Sequence, residues 1–361
     1  MQHVIELFAG CGGASLGIER ATPNVTTTNV WAVERDADAV ATLTASWVVG
    51  RILHADVHDA IHDLPTDDVE LLWASPPCQP YSRAGKRLGA ADARDCWPVT
   101  LEAIMRCRPR CVVIENVRGS PADAWAEQIA ALGYASAVWD LDAADYGVPQ
   151  RRHRRFVVAW RDQGCTAAPA PTHSRVALDA AKVSGEYQYQ VRAGLLGLDT
   201  LATRDAAGRR PWNTIRAALP GLVGWANETN HGGRPMAWHA GHEPGPTPVA
   251  GGKALGGILG VWVRTEQVGA VAVGCDEASP TVPTVGNQYV HTGDVGRRDK
   301  HAPQLLLGAG RRRLTPLECA ALQGFPADWP WKARTKSSHY RQVGNAVPPR
   351  LAEAVVRAVL R

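Results

Sequence analysis

The stretch VIELFAGCGGASLG, residues 4–17, passes from an apolar run through a glycine turn into a helical pattern. Gly10, Gly12 and Gly13 make the turn. Glycine lets a backbone approach a ligand closely, and the helix that follows offers free N–H groups at its N-terminus. The spacing is a poor match to the dinucleotide pattern G-x-G-x-x-G, so a tight turn without a ligand fits it as well. The stretch therefore predicts a strand, a turn and a helix at the start of the fold.

Apolar, β-branched runs alternate with helical patterns along the first 160 residues. Continuous apolar runs are typical of parallel strands that are covered on both faces. Their alternation with helices predicts an α/β domain with a doubly wound, mostly parallel, Rossmann-like sheet. The predicted strands are 3–8, 29–34, 69–74, 110–115 and 154–160, and the predicted helices are 14–21, 36–47, 99–107 and 122–132.

The pattern changes after about residue 160. Glycine and proline become frequent and periodicity is poor as far as about residue 307, so we expect a loop-rich, smaller second domain with short strands. Order returns in 312–325, where Thr315, Pro316 and Glu318 are typical of a helix start. The last segment, 349–361, has a one-sided apolar face and is expected to pack back on the first domain.

Composition limits the class of protein. The chain has 361 residues, 45% of them apolar, and a net charge of +4, which permits a nucleic-acid partner. Its 8 cysteines form no CxxC pair and show no zinc-ligand spacing with histidine, so we expect no metal and a reducing compartment. Neither a signal peptide nor a membrane-spanning run is visible, and we expect a cytoplasmic protein without a membrane partner.

Side chains able to do chemistry follow several of the predicted strands. Glu34 ends the second strand, where an acid can bind ribose hydroxyls, and Asp56 stands further along the chain, in HADV. Cys78 stands between prolines in PPCQP, whose stiff backbone would fix the direction of the thiol. A buried structural cysteine is the alternative. The loop 82–95, with basic residues and two glycines, is typical of a segment that closes over a polyanion.

Two further motifs carry polar groups at strand ends. Glu115 ends an apolar strand, where desolvation favours a protonated carboxyl able to donate a proton; a helix-capping role is the alternative. Gln150, Arg152 and Arg154 alternate along the chain and so share one face of an extended segment. Arginine there could hold a phosphate or a base edge.

These motifs, in this order, resemble the DNA (cytosine-5)-methyltransferase family: FAGCGG, PPCQPYS, ENVRG, QRRHR, RRLTPLECAALQGFP and QVGNAVPP. The resemblance covers most of 3–160 and 311–349. It implies methyl transfer from S-adenosyl-L-methionine, leaving S-adenosyl-L-homocysteine, to C5 of a cytosine extruded from duplex DNA. Cys78 would add to C6 of the base, Glu115 would hold N3 and the exocyclic amine, and Arg154, with Arg152 beside it, would bind O2.

The resemblance also implies binding residues. For the cofactor these are Phe8, Gly10, Gly12, Glu34, Asp56, Val57, Pro76, Asn345 and Val347. For DNA they are Gln79, Ser82, Arg83, Lys86, Arg94 and Gln150. One departure is Trp97, which stands where the family usually has a leucine near the methionine end of the cofactor.

The implied organisation is a class I S-adenosylmethionine-dependent methyltransferase domain with an inserted target recognition domain. We expect a catalytic and cofactor-binding domain in 1–160, the target recognition domain in 161–310, a connecting segment in 311–340 and a return to the catalytic domain in 341–361. The expected state is a monomer that acts on double-stranded DNA, with a restriction endonuclease for the same site as a candidate partner. The alternatives are an RNA cytosine-5 methyltransferase, a catalytically silent DNA-binding homologue and a nucleoside-binding oxidoreductase.

Overall fold

The computed structural model describes two large parts of the chain and four short strands between them. The described residues are 2–24, 26–78, 92, 94–162, 164, 167–219, 260–265, 269–274, 288–291, 311–313 and 315–361, with the backbone alone given for the strands within 260–313.

A seven-stranded sheet lies at the centre, in the order β3-β2-β1-β4-β5-β7-β6. Its strands are β1 (His3–Leu7), β2 (Val30–Glu34), β3 (Arg51–His54), β4 (Val69–Ala74), β5 (Cys111–Asn116), β6 (Ala135–Asp142) and β7 (His153–Trp160). The first five are parallel, whereas β7 runs antiparallel to both β5 and β6. The predicted doubly wound, mostly parallel sheet is therefore confirmed.

Apolar helices cover both faces of the sheet and build two large clusters of buried side chains. The helices of this body are α1 (Gly13–Ala21), α2 (Ala37–Ser46), α3 (Val57–Ala60), α4 (Trp97–Cys107) and α5 (Ala122–Ala130). Asp36 begins α2, because its carboxylate accepts hydrogen bonds from the backbone of Asp38 and Ala39. The four helices predicted in this half of the chain are confirmed with small shifts at their ends.

The C-terminal part returns to this body. It contains α9 (Pro316–Leu322), α10 (Lys336–Asn345) and α11 (Pro349–Val359). Thr315 and Glu318 form the predicted capping box. Leu351, Val355 and Val359 are fully buried on one face of α11, as predicted. That face packs on α1 at Gly17, where an added Cβ would lie 2.5 Å from the Ala352 Cβ.

Short helices in 167–219 were not predicted from the sequence. The elements there are β8 (His173–Ser174), α6 (Arg175–Val183), α7 (Glu186–Arg192), β9 (Arg210–Pro211) and α8 (Ile215–Ala218). The apolar face of α6 is short, with Ala177, Leu178 and Ala181 buried, and the Ser174 hydroxyl caps its start. A face of three small or medium side chains is too weak a periodic signal to predict from sequence.

Further along the same region, the backbone forms the short strands that the sequence predicted. Four antiparallel strands lie in the order β11-β10-β12-β13. Their bounds are β10 (Gly260–Thr265), β11 (Gly269–Gly274), β12 (Gln288–His291) and β13 (Arg311–Arg313). Across the described ranges of the chain, no helix combines the length and the apolar character needed to cross a bilayer.

Candidate active site

The segment that carries Cys78 is tied to the neighbouring strand. It follows β4, and the Asn116 side chain at the end of β5 donates a hydrogen bond to the Pro76 carbonyl at 3.0 Å. Pro76 and Asn116 are both buried, whereas Cys78 keeps part of its surface accessible. The thiol is thus held at the carboxyl edge of the sheet, where open α/β sheets bind ligands.

A buried ion pair faces this edge. Arg154, in β7, places its Nε 2.8 Å from Oε1 of Glu115, at the end of β5. Both side chains are nearly buried, with 12% and 10% of their surfaces exposed. The structure thus places an arginine directly beside the carboxyl group that the sequence predicted at this strand end.

Opposing influences act on the Cys78 thiol. Burial raises its pKa above the ordinary value and is the largest influence; the positive charges of Arg154 and Arg152 lower the pKa, and the charge of Glu115 raises it. The four residues Cys78, Glu115, Arg152 and Arg154, here called the thiol site, therefore form one electrostatic unit. Any ligand that neutralises Glu115 leaves two arginines acting on the sulfur, and that favours the nucleophilic thiolate.

Arg152 and Gln150 lie deeper than the ion pair. Arg152 donates from Nη2 to the Gly344 carbonyl at 3.0 Å, and its Nε and Nη1 have no partner among the described residues. Both amide atoms of Gln150 likewise lack a described partner, and the side chain is completely buried. Gln150 can thus touch DNA only if a nucleotide enters the site.

A cavity lies beside the thiol site, at the carboxyl ends of β1 and β2. It has about 490 Å³ of empty volume and opens to solvent. We call it the glycine cleft; it is lined by Glu6, Ala9, Gly10, Ala14, Glu34, Asp36, Ala39, Ser75, Arg341, Gln342, Asn345, Ala346 and Val347. The first strands and the C-terminal part thus each supply a wall.

Glu34 and Gly10 line the glycine cleft and are joined by a hydrogen bond. Oε2 of Glu34 accepts from the Gly10 backbone N–H at 2.8 Å, and Oε1 accepts from that of Asp36 at 2.7 Å. A carboxylate has about four acceptor positions, so room remains for ligand hydroxyls. Gly10 has φ +57° and nothing within 4 Å of an added Cβ, so a side chain there would project into open space.

Glu6 lines the cleft, although no sequence motif predicted it as a binding residue. It is fully buried in β1, and its Oε2 accepts a hydrogen bond from the Ser15 hydroxyl at 2.5 Å. Burial raises its pKa to about 8, opposed by the Ser15 hydrogen bond and reinforced by the charge of Glu34. Only its place within the apolar strand could have marked this carboxyl as unusual.

Gly13 was also missed as a contact point for the C-terminal part. A Cβ on Gly13 would lie 2.3 Å from the Val347 carbonyl oxygen. Val347 and Asn345 line the glycine cleft, as expected from the motif QVGNAV. The second glycine of the GG pair is therefore needed where the end of the chain crosses its beginning.

Some predicted binding residues lie outside the lining of the glycine cleft: Phe8, Gly12, Asp56, Val57 and Pro76. Asp56 caps α3 and pairs with Arg35 at 3.0 Å and with His58 at 2.7 Å. These contacts with His58 and Arg35 lower the pKa of Asp56 to about 2. Phe8 has a left-handed backbone, with φ 60°.

The predicted DNA contacts are divided between described and undescribed parts of the chain. Arg94 makes two hydrogen bonds to Asp92, at 2.8 and 2.7 Å, and is half exposed. Gln79, Ser82, Arg83 and Lys86 lie outside the described residues.

Trp97 has a structural role. It begins α4, stacks on Trp125 of α5 with ring centroids 4.7 Å apart, and donates from Nε1 to Gln128 at 3.0 Å. It lies outside the lining of the glycine cleft. Trp97, which stands in place of the usual leucine, therefore forms a stacked pair of indoles with Trp125 in the core.

The strand order, with a glycine turn after β1 and one strand reversed near the edge, defines the fold of class I S-adenosylmethionine-dependent methyltransferases. A sequence model described as C-5 cytosine-specific DNA methylase matches residues 2–190 and 260–361. The chain belongs to this family and is a DNA cytosine methyltransferase.

Relatives align over nearly the whole chain. Type II methyltransferase M.NaeI of Lentzea aerocolonigenes is 30% identical over 99% of this chain and 75% of its own length. Type II methyltransferase M.NgoMIV of Neisseria gonorrhoeae is 29% identical over 99% of this chain and 96% of its own. The crystal structure of the S. pombe Dnmt2 methyltransferase matches the fold with a TM-score of 0.57 and 17% identity, over 98% of this chain and 96% of that one.

Proposed function

We propose that the enzyme methylates C5 of a cytosine swung out of duplex DNA, using S-adenosyl-L-methionine and a transient bond between the Cys78 sulfur and C6. The observation that carries the proposal is the thiol site: an accessible thiol grouped with two arginines and a buried carboxylate at the edge of the sheet. The glycine cleft lies beside it. A cysteine with only a packing role needs neither neighbour.

The residues of the glycine cleft fit S-adenosyl-L-methionine. The free acceptor positions of Glu34 suit ribose hydroxyls, and the open space at Gly10 allows the backbone to approach the ligand. Asn345 and Val347 would close the cleft from the other side. When bound, S-adenosyl-L-methionine supplies an electrophilic methyl group. Phe8, Gly12, Asp56, Val57 and Pro76 remain proposed contacts at the margin.

The thiol site supplies the other half of the chemistry. Addition of the Cys78 thiolate to C6 forms an S–C6 bond and moves the C5=C6 electron pair toward N3, which gains a proton held by Glu115. The adduct is an enamine whose C5 is nucleophilic. After C5 is methylated, the C5 proton leaves to solvent and the sulfur leaves as thiolate, which restores the C5=C6 double bond. N3 returns its proton to Glu115.

The base must leave the helix for this chemistry, because its C6 face is covered within a stacked duplex. Arg154 and Arg152 would then hold the O2 edge of the base, and the unpartnered donors of Arg152 are available for such a contact. We assign duplex recognition to the inserted region 161–310, with 1–160 and the C-terminal return, 341–361, as the catalytic body and 311–340 as the connection.

The Type II relatives suggest a setting for the enzyme. We propose that it acts in the cytoplasm as a monomer, on the target of a companion restriction endonuclease. Sequencing the DNA of an expressing host for 5-methylcytosine identifies the recognised bases.

Incorporation of a labelled methyl group tests the activity. The protein is incubated with methyl-labelled S-adenosyl-L-methionine and duplex DNA, RNA or neither. We expect label in DNA, and a loss of more than about 1,000-fold in Cys78→Ser. Cys107→Ala, at a buried cysteine of α4, is the matched control and keeps the activity. Label in RNA alone, or undiminished label in Cys78→Ser, contradicts the proposal.

A trapped adduct tests the covalent step by itself. In a duplex with 5-fluorocytosine at the target, the fluorine cannot leave as a proton does, so the S–C6 bond persists. We expect a protein–DNA species that survives denaturation and whose modified peptide contains Cys78. A labelled duplex without this species excludes the covalent route but leaves the methyl transfer in place.

A further inference from the structure

We propose that Arg341 binds the carboxylate of the amino-acid part of the ligand in the glycine cleft. This inference rests on the proposed function, because it presumes that the ligand is an adenosyl amino acid. It assigns one ligand group to one side chain and makes Arg341 a determinant of cofactor affinity.

The position of Arg341 in α10 supports the assignment. Arg341 and Asn345 are four residues apart, so their side chains lie on the same face of the helix. Both line the glycine cleft. Arg341 is half exposed, so its guanidinium can be reached by a ligand.

The contacts of Arg341 leave donors available. Nη2 lies 2.7 Å from Oδ2 of Asp36 and 3.5 Å from the Ser338 hydroxyl. Nε and Nη1 make no hydrogen bond to any residue that the structure describes. A guanidinium has five N–H donors in a planar fork, so Arg341 can hold a second carboxylate while it keeps Asp36.

The charges around the cleft point to the same residue. Three carboxyl side chains line it: Glu6, Glu34 and Asp36. Glu34 and Asp36, which are only partly buried, oppose the entry of another carboxylate unless a cation is present. Within the described lining, Arg341 is the one cationic side chain. It also stands beside Asp36, so the cleft presents a positive and a negative group together, as a zwitterionic amino acid requires.

A purely structural role for Arg341 is the competing explanation. A second arginine of the C-terminal part, Arg334, also pairs with α2, through Asp38 at 2.6 Å, but it is not part of the cleft lining. The Arg341–Asp36 pair is itself largely exposed, and exposed ion pairs contribute little to stability. Arg334 therefore provides a matched control that breaks a similar bridge without touching the ligand.

Two ligands that differ in the amino-acid part separate these roles. S-adenosyl-L-homocysteine carries the carboxylate, and 5′-methylthioadenosine lacks the amino-acid group. Their dissociation constants are measured by calorimetry for wild type, Arg341→Gln, Arg341→Lys and Arg334→Gln. Thermal melts of the free proteins check that each variant is folded.

We expect Arg341→Gln to weaken the binding of S-adenosyl-L-homocysteine about 10- to 100-fold, as for the loss of a charge-assisted hydrogen bond. The binding of 5′-methylthioadenosine should weaken less than about twofold. Arg341→Lys keeps the charge but not the fork and should lose less. Arg334→Gln should leave the affinity for both ligands unchanged. Equal losses for both ligands, or none, overturn the inference, whereas a wild type that binds neither ligand overturns the proposed cofactor.

Discussion

The thiol site and the glycine cleft share one edge of the sheet, but they are assembled differently. The thiol site takes its residues from segments at the ends of three adjacent strands, β4, β5 and β7. The glycine cleft needs contacts between distant parts of the chain, such as the Thr42 hydroxyl with the Lys332 carbonyl, 290 positions away. The reacting groups thus follow from strand order, whereas the ligand cavity depends on how the end of the chain docks.

Each of the two sites contains a buried acid, but the partners of the two acids differ. Glu115 has Arg154 at 2.8 Å, whereas the hydrogen bond that Glu6 receives comes from a neutral hydroxyl. One acid belongs to a charged network that acts on a thiol, and the other has a pKa raised by burial. Substitutions in each site should therefore give effects of different kinds.

The largest effect expected at every pH comes from Gly17→Ala. An added Cβ would lie 2.5 Å from the Ala352 Cβ and 2.7 Å from the Glu353 nitrogen, so α1 and α11 must separate. We expect a loss of about 3 kcal/mol, seen as a fall of at least about 5 °C in Tm. Gly197→Ala, whose Cβ would meet only a Thr200 methyl at 3.3 Å, is the control. Equal melting temperatures would show that docking of α11 on α1 does not limit stability.

Glu6→Gln should make stability less dependent on pH. The folded protein keeps a proton on Glu6 up to about pH 8, whereas the unfolded chain releases it near 4.5. Wild-type stability therefore falls as pH rises through this window, and the fall stops above it. Relative to wild type, we expect Glu6→Gln to gain roughly 4 kcal/mol of stability by pH 8.5 and less than about 0.5 kcal/mol at pH 4.5. Urea unfolding across this range measures the gain; a difference that does not vary with pH contradicts the assignment.

Glu115→Gln and Arg154→Gln should move the pKa of Cys78 in opposite directions. Loss of the carboxylate lowers the pKa of Cys78 and loss of the arginine raises it, because both charges act on the thiol. The pH dependence of iodoacetamide alkylation, followed on the Cys78 peptide by mass spectrometry, measures both values. Shifts of the pKa in the same direction would show that the charges of Glu115 and Arg154 do not control the Cys78 thiol.

Trp97→Phe should have the smallest effect. The ring can still stack on Trp125, but the hydrogen bond to Gln128 is lost, so we expect a cost of about 1 kcal/mol. Binding of S-adenosyl-L-homocysteine should stay within about twofold, because Trp97 does not line the glycine cleft. A larger loss of affinity, measured by calorimetry, would place the indole at the ligand.

Much of the sheet could be predicted because its central strands are covered on both faces. The segments of β1, β4 and β5 are continuous apolar runs for that reason. The edge strand β6 was missed, since four of its first five positions are exposed or half-buried and their composition is mixed. Helix α10 was missed because it packs through polar side chains, notably Gln342, which contacts Thr42 and Lys332.

The candidate site shows the same division. Cys78, Glu115 and Arg154 could be proposed because each stands in a short motif at a predicted strand end, and the structure brings them together. Glu6, Gly13 and Arg341 could not, because their importance depends on partners at the other end of the chain or on burial within a strand. No local pattern encodes such a partner.

The seating of α11 on α1 has a consequence for how a cell makes this enzyme. Translation delivers α1 long before α11, so the apolar surface beneath Leu351 and Val355 stays uncovered until α11 has been made. Asn345 and Val347, which line the glycine cleft, are also synthesised long after α1. A chain cut short before α11 would therefore lack both the cover of α1 and one wall of the glycine cleft.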